Sequence, residues 1–123
     1  MRLSIRNSDE IIYPENIYCV GWNYHAHAEE LNNLVPKEPI IFLKSNSCLA
    51  KDSKVLKLPI DSAVVHYEGE LFVVIKYDCG RIDEITAEKL ILGYGVGIDY
   101  TLREIQAEAK RKGEPWTMSK SLV

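Results

Sequence analysis

Two glutamates, Glu68 and Glu70, stand two residues apart in the stretch 66–76, the segment of the chain richest in β-branched and aromatic residues. A strand sends alternate side chains to opposite faces, so both carboxylates share a face at a backbone separation of roughly 6.5–7 Å. Like charges so placed repel unless one is protonated or a cation sits between them. Phe72 and Val74 lie on the same face and imply that it is partly covered. Dehydrated carboxylates with only oxygen donors suit Mg²⁺ or Mn²⁺ better than Zn²⁺. A solvated strand edge accommodates the same pair with no ion at all. Asp99, after a segment holding Gly93, Gly95 and Gly97, offers a third oxygen donor, and serves equally well as an aspartate helping a helix N-cap.

The histidines pose a similar choice. His25 and His27 are two apart and do not share a helix face, whereas His27 and Glu30 are three apart and do. A carboxylate bonded to an imidazole fixes its tautomer and raises its basicity, as a general-base dyad requires. A surface i,i+3 pair has the same spacing. His66 lines the acidic face and has no assigned role.

These residues need elements to hold them. Ile17–Val20 reads as a short strand ending at Gly21, and 25–34 as a helix stopped by Pro36. Residues 39–44 read as a second strand and 45–60 as a loop. In the strand 66–76, Tyr67, Gly69, Leu71, Val73 and Ile75 form the expected core face, with Asp78-Cys79-Gly80 as the turn after it. A short helix is expected over 86–91. The glycines of 92–98 suggest a strand whose backbone something approaches closely. Thr101 and Glu104 have capping-box spacing, and Lys110, Arg111, Lys112 and Gly113 mark the far end, which predicts a helix over 101–112. Strands outnumber helices without regular alternation, so the class is α+β, β-rich, with a mainly antiparallel sheet.

Length and charge bound what this can be. At 123 residues a single domain over 1–123 is expected. With 46% hydrophobic and 27% charged residues, the composition is that of a globular domain. The longest apolar run, Leu71–Ile75, is far short of a bilayer span of about 20 residues. A net charge of −3 with scattered Lys and Arg leaves no footprint for nucleic acid or an anionic membrane. Three separated cysteines fit a reduced, cytoplasmic chain better than a disulfide framework.

The motifs together resemble the fumarylacetoacetate hydrolase family. Val20-Gly21-Trp22-Asn23-Tyr24 with His27 and Glu30 is similar to its Gly-x-Asn-Tyr-x-x-His-x-x-Glu opening. Glu38–Lys44 resembles the next family segment, Tyr67–Leu71 its Glu-x-Glu strand, and Gly97–Thr101 its Asp-containing loop. Glu108–Thr117 with Ser119-Lys120-Ser121 is closest to the acylpyruvase and oxaloacetate-processing branch. The resemblance implies a fumarylacetoacetate hydrolase-type mixed β-sandwich roll and a homodimer. It makes Glu68, Glu70 and Asp99 ligands of Mg²⁺ or Mn²⁺. It makes His27 and Glu30 the water-activating dyad, joined by Lys120 as a catalytic residue, and Lys44 and Gln106 contacts of a small 2-oxo acid. Arg103 matches the family arginine after the metal loop, and a helix-surface charge would occupy the same place. The implied reaction is hydrolysis of a C–C bond in acylpyruvates or related 2,4-dioxo acids, that is, in ketonic substances. The same site could serve tautomerisation, isomerisation or oxaloacetate decarboxylation. Ser45, Phe72, Leu102 and Glu104 depart from the family pattern. The family domain continues beyond the position of Ser121, so the chain is expected to hold its N-terminal portion, truncated at the C-terminus. A non-catalytic interaction module is then the alternative from another class.

Overall fold

Where β-branched and aromatic residues are densest, the chain forms its two longest strands. The computed structural model describes residues 2–24, 36–51, 55–58 and 64–122. Within them β1 (Leu3–Ser4) pairs with β2 (Ile11–Ile12), β3 (Ile17–Gly21) with β4 (Ile40–Lys44), and β5 (Val65–Ile75) with β6 (Ile91–Leu102). All three ladders are antiparallel. The helices are α1 (Glu84–Lys89), α2 (Arg103–Lys112) and α3 (Thr117–Lys120), and Asn46–Cys48 makes one 3₁₀ turn inside the expected loop. This is the β-rich α+β class read from the sequence. The helix expected over 25–34 lies outside the described residues.

The β5–β6 ladder runs from Val65↔Leu102 to Ile75↔Ile91, with a register shift at Val74/Ile75. It extends β6 well past the expected 92–98, so Asp99 is a mid-ladder strand residue rather than a helix cap. The two faces of this ladder correct the sequence reading. Tyr67, Leu71, Val73 and Ile75, expected to form a core face, are exposed, as are Tyr94, Val96 and Ile98 on β6. The opposite face, with Glu68, Glu70 and Val74, is the better covered one. Alternation identified the two faces correctly, but it says nothing about which one neighbouring elements cover. α3 lies on β6 and β4, and it covers the polar face.

The expected capping box is not formed. α2 starts at Arg103, its N-cap is Leu102, and no side chain caps it. Thr101 stays in β6 because its hydroxyl is recruited elsewhere, and the Arg103 N–H donates to the Val64 carbonyl at 3.2 Å. The far end is as expected: Gly113 takes the left-handed conformation at φ 71°, which a glycine adopts without strain. The short helix lies at 84–89 rather than 86–91, because the Asp83 side chain accepts from the Thr86 N–H and starts it earlier. α3, just before the chain's last residues, was not expected.

Candidate active site and metal centre

Pairing in β5–β6 sets Glu68 directly opposite Asp99, Glu70 opposite Gly97, and His66 opposite Thr101. Opposed residues in an antiparallel ladder point to the same side, so three carboxylates share one face. The glycines make that face accessible. Phe72 lies across Gly95, where an added Cβ would come within 2.2 Å of the ring, and it also reaches Gly97. Phe72 is therefore what approaches the glycine strand closely.

Cations arrive from three elements. α3 supplies Lys120, whose Nζ donates to Glu68 Oε2 at 2.6 Å, Asp99 Oδ2 at 2.7 Å and Thr101 Oγ1 at 2.8 Å. All three of its N–H donors are thus used. Its side chain is only 3% exposed, and its ammonium sits 5.2 Å from the centre of the Phe42 ring. From the end of β4, Lys44 donates to Asp99 Oδ1 at 2.6 Å and to the Lys120 carbonyl. From the start of α2, Arg103 donates to Glu68 Oε1 at 2.5 Å, Gln106 Oε1 at 2.7 Å and His66 Nδ1 at 3.2 Å. Among the described residues, three carboxylates face three cations.

The electrostatics separate the two glutamates. Burial pushes Glu68 up, but hydrogen bonds and charge from Lys120 and Arg103 outweigh it and hold the carboxyl below its ordinary value. Burial also pushes Glu70 up, and the charges of Glu68 and Asp99 push the same way; a hydrogen bond from Tyr24 offsets only part, so this carboxyl stays raised. Cys19 on β3 feels the same centre. Burial, followed by the charge of Asp99, raises its thiol to about 11, which keeps it protonated at neutral pH.

Could these residues hold a divalent ion? No three His, Cys, Asp or Glu groups among the described residues close around one by themselves. Lys120 lies where Glu68 and Asp99 converge. The donor chemistry nevertheless fits a hard cation. All three groups are oxygen donors, each carboxylate has about four lone-pair sites, and Glu70 bears like-charge repulsion that a cation would relieve.

The residues picked from the sequence are largely brought together: Glu68, Glu70 and Asp99 share a face, and Lys44, Lys120 and Gln106 converge on it through side-chain bonds. Gln106 is 3% exposed and accepts from Arg103. His27 and Glu30 lie outside the described residues. Arg103 proves to be a site residue rather than a free helix charge. Thr101 and Tyr24 were not picked: Thr101 has the appearance of an N-cap in sequence, and Tyr24 sits in a motif whose side-chain contacts spacing alone does not reveal.

Comparison with known proteins agrees with this arrangement. The family described as fumarylacetoacetate (FAA) hydrolase C-terminal matches residues 16–123. An oxaloacetate tautomerase, FAHD1, from Arabidopsis thaliana mitochondria is 46% identical over 104 residues, covering 85% of this chain and 47% of that protein. The oxaloacetate tautomerase YcgM of Escherichia coli is 39% identical over 110 residues, covering 89% and 50%. The crystal structure of fumarylpyruvate hydrolase from Pseudomonas aeruginosa, in complex with Mn²⁺ and pyruvate, superposes with a TM-score of 0.81 or better at 0.85 and 34% identity, covering 98% of this chain and 54% of that one. The chain spans about half the length of the curated relatives it matches.

Proposed function

Because the chain belongs to the fumarylacetoacetate hydrolase family, we propose that it carries the N-terminal portion of a metal-dependent enzyme acting on small 2-oxo acids, cleaving a C–C bond in acylpyruvates or related 2,4-dioxo acids. The observation that supports this most is the convergence of Glu68, Asp99, Lys120 and Lys44 on one dehydrated strand face. Glu68, Glu70 and Asp99 would hold Mg²⁺ or Mn²⁺, which when bound supplies Lewis-acid polarisation of substrate oxygens. Lys44, Lys120 and Arg103 place fixed positive charge where a substrate carboxylate or a developing enolate needs it. Since the three N–H donors of Lys120 are all taken, it must release one partner to touch substrate. His27, oriented by Glu30, would take the proton from the attacking water. The β-sandwich roll, the homodimer and the cytoplasmic setting expected from the sequence belong to the same reading, the last in keeping with the free thiols of Cys19, Cys48 and Cys79.

Two relatives carry the name oxaloacetate tautomerase, and this favours a second use of the same face. There His27 would move a proton between carbon and oxygen of the substrate, and no bond to carbon would be cut. Product analysis separates the two. Acetylpyruvate and the enol form of oxaloacetate are offered with Mg²⁺, and release of pyruvate is measured against enol-to-keto conversion. His27→Ala and Glu30→Gln should each lower the productive rate about 10²–10⁴-fold. The two losses should be strongly non-additive, and Mg²⁺ affinity should be unchanged. Parent-like rates in both variants would remove the dyad from the proposal.

A further inference from the structure

Glu70 differs from its two neighbours in the site. Glu68 is held by Lys120 and Arg103, and Asp99 by Lys120 and Lys44, whereas the side-chain hydrogen bond that acts on Glu70 comes from a neutral group, the Tyr24 phenol. The phenol oxygen also accepts from the Leu71 N–H at 3.2 Å, on the residue next to Glu70. Tyr24 therefore grips β5 twice at one point, once on its backbone and once on the carboxylate beside it.

Tyr24 is itself held in place. Two residues earlier Trp22 has a φ of 56°, a left-handed conformation that a bulky side chain adopts only when its surroundings impose it. The surroundings do so here. The Lys110 ammonium lies 4.9 Å from the ring centre of Trp22 and 4.9 Å from that of Trp116, bridging the turn after β3 to α2 and the residue preceding α3. Trp116 also packs on Phe42 at 5.5 Å between ring centres, and a Cβ on Gly21 would meet its ring at 3.2 Å. Cation–π contacts of this kind contribute about 0.5–1 kcal/mol at exposed sites and more when dehydrated. Two on one ammonium fix where the chain leaves Gly21, and so where Tyr24 begins.

We propose that Tyr24 is the positioning residue for Glu70: its hydroxyl, braced by the Trp22–Lys110–Trp116 stack, aims that carboxylate at the ion that Glu68 and Asp99 share. The inference rests on the three-carboxylate reading given above and deepens it. Groups that orient a metal ligand through a hydrogen bond typically govern metal affinity by about 10–100-fold. Tyr24→Phe removes the hydroxyl and leaves the ring.

The test is Mn²⁺ binding, followed by the loss of the free-ion paramagnetic resonance signal, for the parent, Tyr24→Phe and Glu70→Gln. Tryptophan emission is recorded alongside, because Trp22 and Trp116 are the chain's two tryptophans and report on the brace. Expected are clear Mn²⁺ binding by the parent, its loss in Glu70→Gln, and about 10-fold weaker binding in Tyr24→Phe with the tryptophan emission of the parent. Parent-like Mn²⁺ affinity in Tyr24→Phe, with Glu70→Gln impaired, would overturn the positioning role and leave the metal reading standing. Weakened binding accompanied by shifted emission would overturn it too, since the hydroxyl would then be holding the turn rather than the carboxylate. A parent that binds no Mn²⁺ would overturn both.

Discussion

Replacing Lys120 by Met keeps the length and much of the volume of the side chain and removes the ammonium. In the parent that ammonium makes three bonds of 2.6–2.8 Å with its side chain only 3% exposed. Breaking a buried ion pair by removing one partner costs about 3–5 kcal/mol, because the other charge is left dehydrated and unpaired. Here each orphaned carboxylate retains one cation, Arg103 for Glu68 and Lys44 for Asp99, so the lower end, about 3 kcal/mol, applies. Against a typical total of about 5–15 kcal/mol that is a large shift in the urea midpoint at pH 7. The pH dependence identifies the cause. Glu68 is held below its ordinary value in the folded parent, so its contribution to stability is present above the unfolded value and is lost as pH falls through the folded one. The hydrogen bond from Lys120 is the largest of the effects holding it down, so the gap between parent and Lys120→Met should be widest near neutral pH and close in acid. Added Mn²⁺ should narrow the gap as well, by replacing the lost positive charge. A gap below about 1 kcal/mol, or one that stays constant from neutral pH into acid, would refute the claim that Lys120 stabilises by neutralising these carboxylates.

Glu70→Gln should show opposite effects with and without metal. A carboxyl whose folded pKa is raised destabilises the fold when ionised and ceases to do so as pH falls through that value, so the metal-free Gln variant should melt above the parent at neutral pH and match it in acid. Mg²⁺ should raise the melting temperature of the parent and leave the variant unmoved; a variant that melts lower without metal, or still responds to it, contradicts the assignment. Gly95→Ala drives a methyl into the Phe72 ring and should cost about 1–3 kcal/mol, read from the urea midpoint. Phe72→Ala should remove most of that cost, so that the double variant is less destabilised than the sum of the singles; strict additivity would place Phe72 elsewhere.

How far the sequence carried the structure depends on the range of the interaction concerned. Period-2 alternation places Glu68 and Glu70 on one face because the cause is local backbone geometry, and Gly113 ends α2 because its conformation is set by its own φ. The three glycines signalled a close approach without identifying Phe72, since the contact is made across the ladder from β5. Thr101 misled because a hydroxyl three residues before Glu104 has the spacing of a cap, and only the arrival of Lys120 from α3, 19 residues on, makes a better use of it. The same long-range fact makes Asp99 a strand residue gripped by two lysines. Burial was the least legible property, because the apolar side of 66–76 is a core face only where something packs on it.

The distribution of burial argues for what the charged cluster is for. Among the described residues the buried side chains are chiefly polar, namely Asp99, Thr101, Gln106, Ser119 and Lys120, with Leu102 and Ala109, while Tyr67, Leu71, Tyr94 and Val96 face outward. On stability alone this is the wrong way round. Dehydrating an ion pair costs more than its mutual attraction returns unless the geometry is excellent, and well-packed apolar residues in the same place are commonly as stable or more so. Burying apolar surface, by contrast, gains about 25 cal/mol per Å². A strand ladder that gives its covered face to three carboxylates, two lysines and an arginine, and keeps glycines there so that Phe72 can lie flat beside them, has given up cohesion at that face. What dehydration does supply is stronger electrostatics, since each fixed charge acts through a medium less polarisable than water. That benefit is worth having only where charge must be held ready for another charge, be it a divalent ion or an anionic substrate, and it is on this ground that the β5–β6 polar face, rather than the apolar one, is the part of the chain in which chemistry is to be sought.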